Sequence, residues 1–293
     1  MKTIILSIIG ILIILHIFDQ KQNKPTEDIN SLLINSITDL NPLKTYQTWT
    51  YIEVGEPTKQ LQLLNNEINI PVYFQKCIEK IGGNVTILTP LNIEKFVPEF
   101  PIKMNKSSPL SLKKRTDILF AFILEKYGGI CISPGTVVYD LTEPLRDIYI
   151  NDIVTFGSST PMNTGSVSQY YPDTYIIGSK PDTELIKNYK KQLLTTTYKN
   201  SSEILSECLQ EKEYKIKNYG PKTVGTHDMN NNKLSLEDYL NKTKINYLSK
   251  KDHLAITVPY NELVNNNEYK WFLNLSEDQL NNSDLEIVRL LNN

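Results

Sequence analysis

The sequence predicts an α/β domain, a mostly parallel sheet covered by helices on both faces, preceded by one N-terminal transmembrane helix. Three observations carry that expectation. Short apolar, β-branched runs alternate with longer amphipathic or wholly apolar stretches, the pattern of strand–helix–strand units. Two of the longer stretches stop at a double glycine, Gly82-Gly83 and Gly128-Gly129, and pass almost at once into a strand-like run, as a left-handed helix cap allows. Finally, residues 3–18 read TIILSIIGILIILHIF, without a formal charge when His16 is neutral.

Taken in order, residues 1–20 form the anchor. Sixteen residues rise about 24 Å as a helix, somewhat short of the roughly 30 Å hydrocarbon core. A cleaved signal peptide is the rival reading, but the run ends in DQKQNK, without a small-x-small cleavage pattern. Lys2 on one side and Lys21 and Lys24 on the other leave the orientation open. Residues 21–43 make a polar linker and leading helix, and the folded domain occupies 44–293. Within it the pattern predicts a strand over 44–48, a helix over 71–81, a strand over 85–88 and a helical turn over 92–96. The helix over 111–127 is apolar on every side between Ile118 and Leu124, so it is buried. A strand over 130–132 follows its glycine pair. Further strands are expected at 153–156, 175–177 and 254–258, and helices at 182–194, 201–211, 236–242, 262–273 and the carboxyl-terminal end. No internal repeat is present.

Composition bounds the function. The chain has 293 residues, 40% hydrophobic and 22% charged, a globular balance. With 31 Lys+Arg against 33 Asp+Glu, the net charge is -2, which argues against a nucleic-acid partner bound through bulk positive charge. Cys77, Cys131 and Cys208 have no metal-ligand spacing, and His16, His227 and His253 are scattered. Zinc hydrolases and small disulfide scaffolds are thereby excluded. Only Arg115, Arg146 and Arg289 are arginine, and with the abundant Ile, Asn, Lys and Tyr this fits an A/T-rich coding sequence. Six N-x-S/T sequons begin at Asn84, Asn105, Asn200, Asn241, Asn274 and Asn281; so Asn-rich a chain produces several by chance, and they do not fix a lumenal location.

In a sheet of this kind ligands collect outside the carboxyl ends of the strands. The buried helix, double glycine and short strand therefore aim Ser133-Pro134-Gly135-Thr136 at a ligand crevice. Proline fixes its own φ there, and glycine permits close backbone approach.

The same residues carry a resemblance. TDILFAFILEKYGGICISPGTVV, residues 116–138, resembles the core motif of glycosyltransferases with a DXD sugar-binding region and is similar to the related capsular polysaccharide synthesis family. In those families an Asp-led helix runs to Tyr-Gly-Gly, then a short strand, then the acidic DXD or a variant. Upstream, Tyr46-Gln47-Thr48-Trp49 resembles the family's first strand, usually H-Q-T-W. Downstream, Asn218-Tyr219-Gly220-Pro221 is faintly similar to a later Gly-Pro element. The resemblance covers roughly Tyr46 to Asp140.

It implies a GT-A type fold that moves a sugar from a nucleotide-sugar donor to a glycan or protein acceptor, with retention by family analogy. It also implies Mn²⁺ or Mg²⁺ held by carboxylates against the departing diphosphate. Asp117 falls on the position that contacts the donor sugar, and Trp49 in the strand whose neighbourhood stacks on the nucleobase. The metal-binding acids, however, align with Ser133 and Gly135, with Pro134 between them. A hydroxyl and a hydrogen do not replace two carboxylates, so the DXD ligands are absent and no cofactor is certain. The Arg usually found three residues after the helix Asp is Phe120, which removes a planar donor. Asp140 and Glu143 follow too late to substitute. Chains with this S-P-G-T form resemble variants from large DNA viruses, which would place the anchor in a host secretory-pathway or virion membrane. The alternative is a catalytically inactive pseudo-glycosyltransferase acting as a structural or sugar-binding membrane protein.

Each candidate also has a plainer explanation. Asp117 suits the first turns of a helix through the dipole. Trp49 can fill core, and Ser133 and Thr136 can simply satisfy turn groups. Lys113-Lys114-Arg115 reads either as a phosphate site without metal or as a solvated helix start. His227-Asp228 reads as an acid–base pair or as part of an Asn-rich loop. Tyr269, Trp271 and Phe272 either close over a donor or pack inside a helix.

Overall fold

In a computed structural model of the chain, the residues described are 46–53, 70–82, 85–104, 107–157, 162–164, 167–169, 172–230, 232–245 and 253–292. The expected anchor and the linker with its leading helix lie outside them. Among the described residues no helix is long and apolar enough to cross a membrane. All of them belong to one compact unit, Tyr46–Asn293.

The four residues Thr48–Tyr51, all buried, form β1, a strand displaced towards the carboxyl end from the expected 44–48. β2 (Val85–Leu88) and β3 (Gly129–Ile132) flank it in parallel, with Thr48 opposite both Val85 and Ile130. The main sheet is completed by β5 (Ile153–Phe156), β8 (Asp173–Ser179) and β9 (Ile216–Tyr219), in the order β2-β1-β3-β8-β5-β9. Two short pairs stand outside it. β4 (Val137–Val138) pairs with β10 (Ala255–Ile256), and β6 (Met162–Thr164) pairs with β7 (Val167–Gln169).

Five strands of the main sheet share one direction and β8 runs against both its neighbours. The mostly parallel sheet expected from the sequence is present, with one reversal that the alternation of elements does not announce. Its cause lies in the connection: a parallel neighbour needs a crossover, usually a helix, whereas the described part of the chain between β5 and β8 is the β6–β7 hairpin. Reversal has a consequence for chemistry. Ile132 faces Ile176 and Phe156 faces Asp173 across the ladder, so β8 starts where β3 and β5 end.

The helices are α1 (Val72–Ile81), α2 (Ile93–Phe96), α3 (Leu112–Tyr127), α4 (Thr142–Asp147), α5 (Glu184–Thr195), α6 (Ser201–Gln210), α7 (Leu236–Tyr239), α8 (Tyr260–Asn265), α9 (Lys270–Leu273), α10 (Glu277–Asn281) and α11 (Glu286–Asn292). The single helix expected over 262–273 is broken. Asn266 leaves helical geometry (φ -83, ψ 121), and its side chain caps a 3₁₀ turn, Asn267–Tyr269, before α9. The strand expected over 254–258 shrinks to β10 and joins β4 rather than the main sheet. Helix α4 and strands β4, β6, β7 and β9 have no local signal strong enough to separate them from loop.

Helix α3 matches its expectation closely. Ser111 accepts from the Lys114 N–H at its start, and Gly128, at φ 67, closes its end. The sheet divides two cores by the period-two alternation of its strands. Cys131 and Ile177 belong to the larger cluster, which includes the α3 side chains, while Ile130, Ile132 and Ile176 join Val154, Phe156 and Tyr219 in the smaller one.

The glycine pair after α3 is sterically required. A Cβ on Gly129 (φ +103) would lie 2.1 Å from the Gln47 carbonyl oxygen, and one on Gly128 would lie 2.6 Å from Pro181 Cδ. Replacing Gly129 by alanine therefore adds overpacking to a left-handed backbone, a loss of about 3 kcal/mol. Gly82→Ala meets no atom within 4 Å at φ +90 and should cost only about 1 kcal/mol. Urea midpoints at an unchanged slope separate the two outcomes.

Candidate active site at the carboxyl edge of the sheet

Because α3 ends where β3 begins, its first turns lie over the carboxyl ends of the parallel strands, beside the start of β8. Lys113 and Asp117 stand one helical turn apart on one face. The Lys113 ammonium donates to both Asp117 carboxylate oxygens, at 2.5 and 2.7 Å, and also to the Thr174 hydroxyl. It lies 4.6 Å from the centre of the Tyr175 ring, a favourable cation–π placement. Asp117 is buried.

Asp173, half-buried beside this pair, accepts from the Tyr175 N–H at 2.8 Å through one oxygen, and the Thr257 hydroxyl lies 3.5 Å from the other. Its enclosure pushes its carboxyl above the usual range. Lys113, the Tyr175 N–H and Lys233 oppose that shift, and the charge of Asp117 adds to it. Tyr175 donates through its hydroxyl to Asn261 Oδ1, and burial raises that phenol well above its ordinary value. The Ser133 N–H donates to the Tyr175 carbonyl at 2.8 Å. Tyr175 is thus the bridge between Lys113 and the Ser-Pro-Gly-Thr turn.

Asp173, Thr174, Tyr175 and Asn261 are absent from the candidates that the sequence offers. No motif marks them; only the reversed direction of β8 and the position of α8 bring them here.

The turn itself corrects one expectation. Ser133, Pro134, Gly135 and Thr136 are all buried. The Thr136 N–H donates to the Ser133 carbonyl at 3.1 Å, and the Tyr73 hydroxyl donates to the Gly135 carbonyl at 2.7 Å. Gly135 has no left-handed φ, and a Cβ there would stand 3.6 Å from Val258 O and 3.7 Å from Phe74, ordinary contact distances. Glycine is not needed at this position for close backbone approach, because side chains of α1 roof the turn.

Trp49 is not brought to this group. Its indole is buried, its N–H donates to the Gly128 carbonyl at 2.9 Å, and its ring packs on Phe96 and Tyr127. It therefore sits at the far end of α3, about 15 Å of helix from Asp117. Nor is the start of α3 solvated. Lys114 is buried and donates to the Thr196 and Lys199 carbonyls at 3.0 and 3.3 Å, and burial lowers its pKa. Arg115 is buried against Glu53, with Nη2 2.5 Å from Oε2, and also donates to the Leu110 carbonyl.

The other candidates are elsewhere. Asp228 closes its own loop, accepting from the N–H groups of Asn230 and Asn232 and from the Asn232 side chain, which holds its carboxyl below the usual range. Phe272 is buried on Tyr73, whereas Trp271 is exposed. Asp140 accepts from the Thr142 N–H at the start of α4, and Glu143 lies 3.6 Å from Lys217.

A divalent cation does not fit the residues present. The two positions to which the resemblance assigns carboxylates offer one buried hydroxyl, from Ser133, and no side-chain ligand, from Gly135. Among the described residues no group of three or more His, Cys, Asp or Glu side chains could hold a metal ion.

No protein-family model and no curated protein sequence matches the chain. Among solved structures it is similar to that of the galactosyltransferase LgtC, determined in complex with donor and acceptor sugar analogs. Identity is 8%, the match covers 84% of this chain and 95% of that one, and the TM-score is 0.41.

The enclosed Asp173 yields a signed pH dependence. Its folded pKa lies above the unfolded value, so its contribution to stability is full below the ordinary aspartate value of about 3.9. That contribution is lost as pH rises through the raised folded value. Asp173→Asn should accordingly gain stability relative to the parent as pH climbs from about 4 to about 7. Melting temperatures of both proteins across that range test it; a difference that stays flat or shrinks contradicts it.

Proposed function

We propose that the chain is a membrane-anchored, glycosyltransferase-like protein that transfers a sugar from a nucleotide-sugar donor to a glycan or protein acceptor. One observation carries the reading. Asp117, the residue that the motif resemblance assigns to the donor sugar, lies buried at the carboxyl edge of the sheet and is paired with Lys113, which also meets Thr174 and Tyr175; Asp173 stands beside the pair and Asn261 bonds the Tyr175 hydroxyl. A fixed carboxylate accepts hydrogen bonds from sugar hydroxyls and favours the positive charge that develops on the ring as the bond to phosphate breaks. Nearby hydroxyl, amide and carboxyl groups complement a polyol. In this reading Ser133, Gly135 and Thr136 support the donor site from beneath the α1 side chains that cover them, and Trp49 supports β1 from within the core.

A second reading, a pseudo-glycosyltransferase that binds sugar or serves assembly, draws on the missing carboxylates at positions 133 and 135. The two separate experimentally. With UDP-, GDP- and CMP-sugars offered to the full chain, the enzyme reading expects turnover with one donor. Asp117→Asn should lower kcat/KM by about 100-fold or more with circular dichroism unchanged. Transfer unaffected by that substitution removes Asp117 from the site. Donor binding without turnover in the parent protein selects the pseudo-enzyme.

The anchor belongs to the same proposal. Full-length chain should stay with membranes after alkaline carbonate extraction, and a variant lacking residues 1–20 should be released; release of both contradicts the anchor.

A further inference from the structure

We propose that Lys113, and not a divalent cation, is the positive charge that meets the diphosphate of the donor, so that nucleotide-sugar binding here is independent of metal. The inference rests on the nucleotide-sugar reading above and identifies which part of the donor this edge recognises, and how.

A nucleoside diphosphate concentrates negative charge on its oxygens, and binding it needs a cation or several strong donors. The positions that would hold a metal carry a serine and a glycine, both under the α1 roof. A protein cation is the alternative, and the start of α3 supplies three. Two of them are committed elsewhere. Lys114 is buried on the carbonyls of Thr196 and Lys199, and Arg115 is buried in its pair with Glu53. Lys113 is the third. Its side chain is 23% exposed while that of its partner Asp117 is 1% exposed, so Lys113 is the more open member of the pair. Lysine binds phosphate as a mobile point charge, and the Tyr175 ring under it keeps that charge at the edge.

Helix geometry adds an independent reason. The residue four before Asp117 and the residue three after it share one face of the helix with it. The second of these is Phe120, which is buried and apolar; the first is Lys113. Of these two neighbours only Lys113 brings a charge to the carboxylate. Two acids beside a lysine would ordinarily oppose an anion. Lys233, however, acts on Asp173 through its charge as Lys113 does, so two lysines offset the two acids and the group is not dominated by negative charge.

The test uses the full chain in titration calorimetry with inorganic pyrophosphate and with UDP-, GDP- and CMP-sugars, each in EDTA and in Mn²⁺. One nucleotide-sugar should bind with the same Kd, within about twofold, in both buffers. Lys113→Met should weaken it by about tenfold or more in EDTA, the loss of a charged hydrogen bond, and Lys113→Arg should restore it to within about threefold. Pyrophosphate should compete with that nucleotide-sugar for the parent but not for Lys113→Met. Binding that appears only with Mn²⁺, or that survives Lys113→Met undiminished, overturns the inference and leaves the nucleotide-sugar reading standing. No binding of any nucleotide-sugar in either buffer overturns both. The comparison of buffers uses the parent protein alone, so it decides the question even where a variant fails to fold.

Discussion

The buried start of a helix cannot leave a charge unpartnered, and α3 begins with three consecutive cations, two of them buried. An uncompensated buried charge costs several kcal/mol, so each cation is tied to a different part of the fold. Arg115 takes Glu53, just past the end of β1. Lys114 takes carbonyls at the end of α5 and before α6. Lys113 takes Asp117 on its own helix and Thr174 on β8. One short stretch of sequence thereby fastens a strand end, a helix junction and the reversed strand to one edge. The polar character of that edge is a consequence of burying the helix.

The opposite end of α3 is set by close approach rather than charge. Gly128 and Gly129 let the chain turn beneath Gln47 and Pro181 with no room for a Cβ, and the Trp49 indole bonds the first of them. Fixing that end fixes the axial position of the helix, and so the depth at which Asp117 stands relative to the strand ends. Trp49 and Asp117, which the sequence motif names together, act on the same helix from its two ends. One sets its position and the other pairs with Lys113 at the sheet edge.

This division explains what can be read in the sequence. Helix α3, its Ser111 cap, its glycine stop and β3 are legible because period, cap and breaker agree within one contiguous run. Strand β2 is legible for the same reason. Asp117 is legible only through a motif, since a carboxylate near a helix start has an ordinary electrostatic explanation. Asp173, Thr174 and Tyr175 are not legible. Their neighbours set strand formation, but strand direction depends on a non-local connection that leaves no local periodicity. The buried fate of Lys114 and Arg115 is likewise hidden, because burial of a cation depends on carbonyls and a carboxylate far away in the chain, 62 residues for Glu53 and more for the carbonyls of Thr196 and Lys199.

The Ser-Pro-Gly-Thr turn then takes on a different meaning from an open ligand loop. Carboxylates at its first and third positions would have to be solvated or paired with a cation, and neither condition is compatible with the cover that Tyr73 and Phe74 provide. With a serine and a glycine there, the turn can be buried and bonded to α1 through the Gly135 carbonyl. The ionisable groups of the edge are correspondingly concentrated on α3 and β8, where Lys113, Asp117 and Asp173 lie together. The absence of acids at positions 133 and 135 and the cover over the turn are two sides of one constraint. A carboxylate introduced at position 133 or 135 alone would place an unpaired charge under an aromatic cover, so a cation site there would require opening α1 away from the turn as well.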